Sequence, residues 1–152
     1  MLALMNERLK LMPDVARYKW NDQSPVEDLP REKIILDGLV KQAAEAKVAP
    51  ELATTFFRAQ IEAAKVIQRK LIDDWRQSQP GRFEDIPDLK TEIRPRLDDL
   101  TAKLIQALAR NQATLADPTK RQIVATAAKR WVPASNWGDA AYTATQPLLT
   151  AR

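Results

Sequence analysis

From Pro50 to the Gln79-Pro80-Gly81 stop the chain reads as one unbroken helix, and no other stretch limits the fold as much. Proline suits a first helical position, where its missing N–H has no helical partner, and Glu51 places an acid in the first turn. Extended to about Gln77, the element is ~42 Å long at ~1.5 Å per residue. Phe56, Phe57, Ile61, Val66, Ile67 and Leu71 supply its apolar surface. Gln60, Ala64 and Gln68 form an i, i+4, i+8 line of polar or small side chains along it. Such a line is either the edge of the buried face or the wall of a lined pocket, and spacing alone does not separate the two.

The rest of the chain predicts an all-α fold of five to six helices around this third, long one. Only 3 of the 152 residues are glycine, while Ala, Leu, Arg, Lys and Glu abound. Few tight turns and few β-branched strands can be built from that composition. The length fits a single domain over residues 1–152 with a sizeable core. Residues 1–21 read as a first helix, with Leu2, Met5, Leu9, Met12 and Val15 on its apolar face. Pro13 kinks it, because the ring crowds the Leu9 carbonyl and removes a donor. A second helix runs from about Pro30 to Ala46, with Ile34, Ile35, Leu39 and Val40 facing inward. Asp88 caps a fourth, to about Ala109, carrying Leu97, Leu100, Leu104 and Leu108. Pro95 kinks it or delays its start to near Arg94. Asp117-Pro118 opens a fifth helix of about 15 residues, as a cap followed by a first-turn proline. A weaker sixth spans Asn136–Leu149, broken by Gly138 and Pro147.

The 24 basic residues exceed the 20 acidic ones by a net +4, a mild bias that favours anions without identifying one. Acids and bases are interleaved, with no basic stripe or arm, which argues against nucleic acid as a partner. No uncharged run approaches the ~20 apolar residues of a membrane span. With no His and no Cys, protein-bound zinc, thiol nucleophiles, Ser-His-Asp triads and histidine acid–base chemistry are excluded. Met1–Lys10 has too short an apolar run to act as a signal peptide, so an exported protein would be present here in its mature form.

The stretch from Arg8 to Glu32 carries the functional signal. Arg8 and Lys19 are eleven residues apart, so at ~100° per residue they point off one helix face about three turns from each other. Asp28, Arg31 and Glu32 follow after a polar connection containing Pro25, at the start of the second helix. Cations on one stripe, folded back beside a mixed-charge helix start, can make a polar pocket for an anion. The plainer alternative is a set of ordinary solvated helix charges.

Four segments, ERLxLMxxVARYKW, PVEDLPREKxIL, FFRAQIEAAKxIQ and IRPRLDDL, occur in that order within residues 5–108. Together they resemble the exported, gamma-subclass, all-helical chorismate mutases; residues 113–152 carry no matching motif. The resemblance implies the type II helical fold and an isomerase that converts chorismate to prephenate with no metal, cofactor or covalent intermediate. It implies a periplasmic or secreted location and a homodimer. By motif position Arg8, Arg31 and Arg94 would serve the substrate carboxylates, and Lys19 and Gln68 would donate to the ether oxygen. Asp28 and Glu32 would meet the ring hydroxyl and hold cations in place. Ala64 stands where other branches place a hydroxyl, so it would only shape the wall. Some exported relatives carry a C-terminal disulfide, which a cysteine-free chain cannot form, leaving Trp131, Trp137 and Tyr142 as the expected apolar anchors there. A non-catalytic helical module binding a small carboxylate is the rival reading. Lys19 and Gln68 count against it, because ether-oxygen donors are superfluous for simple anion binding.

Overall fold

The computed structural model describes residues 1–151, and every regular element in that span is helical. The chain begins with α1 (Leu2–Lys10) and α2 (Met12–Asp22), which meet at Leu11. The break comes just before Pro13, in the first turn of α2, as its missing donor requires. α2 ends at Gln23, which takes a left-handed conformation (φ 52°). α3 (Leu29–Glu45) opens under the Asp28 carboxylate, which accepts from the Arg31 N–H at 3.1 Å. The long helix is α4 (Pro50–Ser78), stopped by a left-handed Gln79.

Beyond the 79–88 loop, Asp88 caps a single widened π turn (Leu89–Ile93) that leads into α5 (Arg94–Ala116). Pro95 explains the widening. It cannot donate to the Thr91 carbonyl, and its ring crowds that group, so the turn opens. Asp117 caps a short 3-10 turn (Pro118–Lys120) that continues as α6 (Arg121–Trp131). α7 (Ala134–Trp137) and α8 (Asp139–Thr150) follow, separated by Gly138 at φ 53°. The six helical units expected from sequence are thus present, cut into more pieces at Leu11 and at Gly138.

α4 is the spine. α8, α3 and α2 pack along it, while α1 lies against α5 and α6. Met5, Leu9, Phe56, Leu104, Leu108 and Leu148 are fully buried between them. Each such side chain contributes about 1.5–3 kcal/mol by leaving water.

Several inward assignments do not hold. Ile34 and Ile35 are exposed (73% and 44%), whereas Leu39 and Val40 pack against the core as expected, joined by Leu36 and Ala43. Trp131 and Tyr142 are also exposed, so of the three expected C-terminal anchors only Trp137 packs against the core. The burial there comes from Val132 and, on α8, from Ala140, Ala141, Ala144 and Leu148; the small alanines let α8 approach α4 closely. Pro147 does not break α8; it is buried within it. α5 passes Ala109 and runs two more turns to Ala116, burying Leu115.

Candidate functional site

α4 brings Gln60, Ala64 and Gln68 to successive turns, and all three are buried. Gln60 joins helices rather than marking a boundary. Its Nε2 donates to the Ala144 carbonyl of α8 at 2.9 Å, and its backbone carbonyl accepts from Arg8 Nη1 at 3.1 Å. That bond ties α1 to α4 and fixes the Arg8 guanidinium, which forms no ion pair among the described residues. Burial lowers the Arg8 pKa to about 10, so it remains a cation at neutral pH. Two turns along, Gln68 has little to bond with. Its Nε2 lies 3.5 Å from Met12 Sδ, a weak acceptor, and its Oε1 has no partner among the described residues. An amide buried in this way costs about 1–3 kcal/mol unless a further group satisfies it.

The second half of the site gathers at the start of α3. Lys19 Nζ, at the end of α2, donates to the Val26 carbonyl at 2.9 Å and so closes the connection between α2 and α3. Burial lowers the Lys19 pKa; Arg31 and Lys65 push the same way, and Glu32 and Asp28 oppose them. These groups therefore share one electrostatic neighbourhood. Glu32 is held at both oxygens, Oε1 by the Asp28 N–H at 3.2 Å and Oε2 by Lys65 Nζ at 2.8 Å. Burial alone would raise the Glu32 pKa, but the Lys65 and Asp28 bonds outweigh it and leave it below the usual value. Asp28 and the Arg31 side chain face solvent.

Lys65 was legible only as one letter of a motif, with no role. The structure buries it between α4 and the start of α3, in contact with Glu27 (3.1 Å), Glu32 (2.8 Å) and Glu62 (2.8 Å). A lysine among alanines on an otherwise buried helical face was the available signal. Burial would lower its pKa, yet the three carboxylates raise it above the ordinary lysine range.

Arg94 begins α5, half-buried and without an ion pair among the described residues, and the π turn before it touches α2. Lys19 also rims an open cleft of about 780 Å³ that continues past Ile72 to Arg76 and Arg82. The other expected site residues do not line this cleft. Its far wall is latched. Trp20 Nε1 donates to the Gly81 carbonyl at 2.7 Å, and Asn21 bonds both the Phe83 carbonyl (2.7 Å) and the Phe83 N–H (2.8 Å). Trp75 lies between Trp20 and Phe83, edge-to-face with Trp20 (centroids 5.9 Å) and tilted against Phe83 (4.5 Å).

Residues 1–69 match the family chorismate mutase type II. The chain is 36% identical over 112 residues to a monofunctional chorismate mutase of Enterobacter agglomerans, an overlap of 74% of this chain and 61% of that protein. It is 33% identical over 112 residues to a secreted chorismate mutase of Yersinia pestis, covering 73% of this chain and 59% of that one. The chain spans about three fifths of the length of these curated relatives. The crystal structure of chorismate mutase from Burkholderia thailandensis superposes with a TM-score of 0.81 at 38% identity, over 99% of this chain and 94% of that one. The likeness therefore extends through α6–α8, where no sequence motif was found. With fold, length and sequence agreeing across that structure, the chain belongs to the chorismate mutase type II family.

Proposed function

We propose that this protein is a chorismate mutase, a single helical domain that rearranges chorismate to prephenate. The observation that carries the reading is the pairing of unspent groups around α4. Gln68 is buried with an amide that has no strong partner, while Arg8, Lys19, Arg31 and Arg94 form no ion pairs among the described residues. Cations without counter-ions beside a buried donor suit an anion that also carries an acceptor oxygen. Chorismate is such a molecule, with two carboxylates, an ether oxygen and a ring hydroxyl.

The reaction is intramolecular. One C–O bond breaks as one C–C bond forms, no atom enters or leaves, and negative charge gathers on the ether oxygen. In this reading Lys19 and Gln68 donate to that oxygen and stabilise the transition state more than the substrate. The forked guanidiniums of Arg8, Arg31 and Arg94 hold the carboxylates. Asp28 and Glu32 receive the ring hydroxyl, and Ala64 forms wall. Clamping the compact reactive conformer adds an orientation effect. Together these can supply about 10⁶-fold acceleration, or ~8 kcal/mol.

Location and assembly belong to the same proposal. A secreted relative supports a periplasmic or secreted site of action, and no described helix is long and apolar enough to cross a membrane. The exposed Leu29, Ile34 and Ile35 of α3 support a homodimer. Sedimentation of the protein and of Ile34→Glu tests that point, with a wild-type monomer the adverse result. The activity is tested by adding purified protein to chorismate and following its ultraviolet absorbance. Prephenate should form far faster than in buffer; binding without turnover would favour the non-catalytic module instead.

A further inference from the structure

Among the described residues, Lys65 is the most deeply buried ionised group outside those assigned to substrate. Its side chain is 5% exposed, against 19% for Glu32, 42% for Glu62 and 49% for Glu27. Glu27 also accepts from Arg69 at 2.9 Å. Counting Arg69, the cluster holds three carboxylates and two cations, an arrangement that leaves Lys65 no charge to offer a substrate. Its effect must pass through its partners. The partner that matters is Glu32. It accepts from the Asp28 N–H, two residues beyond the Val26 carbonyl that Lys19 bonds from the end of α2, and Glu32 and Lys19 feel each other's charge.

Glu32 has two ways to be neutralised. It can bond Lys65, as it does, or it can pair with Lys19, whose ammonium among the described residues is engaged only by the Val26 carbonyl. A Lys19–Glu32 ion pair would occupy the cation that the proposed mechanism directs at the ether oxygen. We infer that Lys65 is a positioning residue: by holding Glu32 against α4 it keeps Lys19 free to donate. This rests on the chorismate reading for its catalytic consequence but not for its electrostatic one. The groups facing the cluster are Lys19 from α2, Glu27 and Asp28 from the connection, Arg31 and Glu32 from α3, and Glu62 and Arg69 from α4.

The test replaces the charge with a side chain of similar length, Lys65→Met, with Lys65→Gln as a second variant should the first not fold. Lys65→Arg is the conservative control. At pH 7.5 the neutral variants should lose about 10–100-fold in kcat/KM, the cost of a misdirected catalytic group. Recovery should begin only once the pH falls below the ordinary glutamate value of about 4.3, where Glu32 takes up a proton and releases Lys19; wild type and Lys65→Arg should show no such rise. A purely structural lysine would lower activity evenly at every pH. Independently of turnover, the Lys19 titration is read by carbon-13 NMR of labelled lysine, assigned with Lys19→Arg. In the neutral variants it should move to higher pH than in wild type, since Lys65 no longer repels Lys19 and Glu32 now pairs with it. An unmoved Lys19 titration overturns the inference even if the enzyme is active. Wild-type protein that leaves chorismate unchanged, with Lys19 shifted as expected, overturns the functional reading alone.

Discussion

A glutamine amide can donate to an ether oxygen while carrying no charge, whereas a glutamate in its place can donate only when protonated. Gln68 is buried with its amide all but unpartnered, so the substitution Gln68→Glu tests the proposed donor directly. The ordinary glutamate pKa is about 4.3. As an anion the new side chain would repel the charge gathering on the oxygen, so kcat/KM should be low near pH 7 and climb as the pH falls from 8 to 4. Wild type should change little over that range. A variant whose activity is flat, or grows with pH, shows that this residue does not meet the breaking bond. At this scale the sequence was informative where order and spacing recur, as from Arg8 through Gln68. It was silent on Lys65, because a lysine becomes a buried counter-ion only once Glu27, Glu32 and Glu62 close around it in three dimensions.

Helix starts were read well because they rest on local chemistry, although α5 outran its expected end near Ala109. Asp88 and Asp117 cap where expected, and Pro50 and Gln79 bracket α4. Facing was read less well. Ile34 and Ile35 are as apolar as any core residue, and only the position of α4 decides that Leu36 and Ala43 point inward in their place. Trp131 and Tyr142 misled for a related reason, since α8 is held by closeness and not by bulk. Leu148→Ala should therefore destabilise the protein by about 2–5 kcal/mol, as for other fully buried leucines. Chemical denaturation measures this, and a loss under ~1 kcal/mol would mean that α8 is loosely docked. The π turn before Arg94 carries a second expectation. Arg94→Ala should raise KM more than it lowers kcat, because a carboxylate contact is present in both ground and transition states. Steady-state kinetics with an unchanged KM would make Arg94 a surface charge beside Pro95.

Across the whole molecule, what periodicity could not supply is which helix lies on which. Residues far apart in sequence make the connections: Arg8 with Gln60, Gln60 with Ala144, and Gln112 with the Lys47 carbonyl and the Ala49 N–H. The longest of them has a consequence in time. Trp137 Nε1 donates to Asn6 Oδ1 at 2.7 Å, across 131 positions of the chain, and α1 otherwise rests mainly on α5 and α6. A ribosome adding ~5–20 residues per second needs roughly 7–26 s to make the 131 residues between those partners. Through much of that interval α1 lacks the helices it rests on, since α5 is complete only at Ala116 and α6 at Trp131, although Gln60, whose carbonyl holds Arg8, is made much earlier. Protease digestion of stalled nascent chains makes the delay visible. In chains halted at residue 110 α1 should be cut readily, and in chains long enough to expose Trp137 beyond the ribosome it should resist. Equal resistance at both lengths would show that the first helix settles without the last ones.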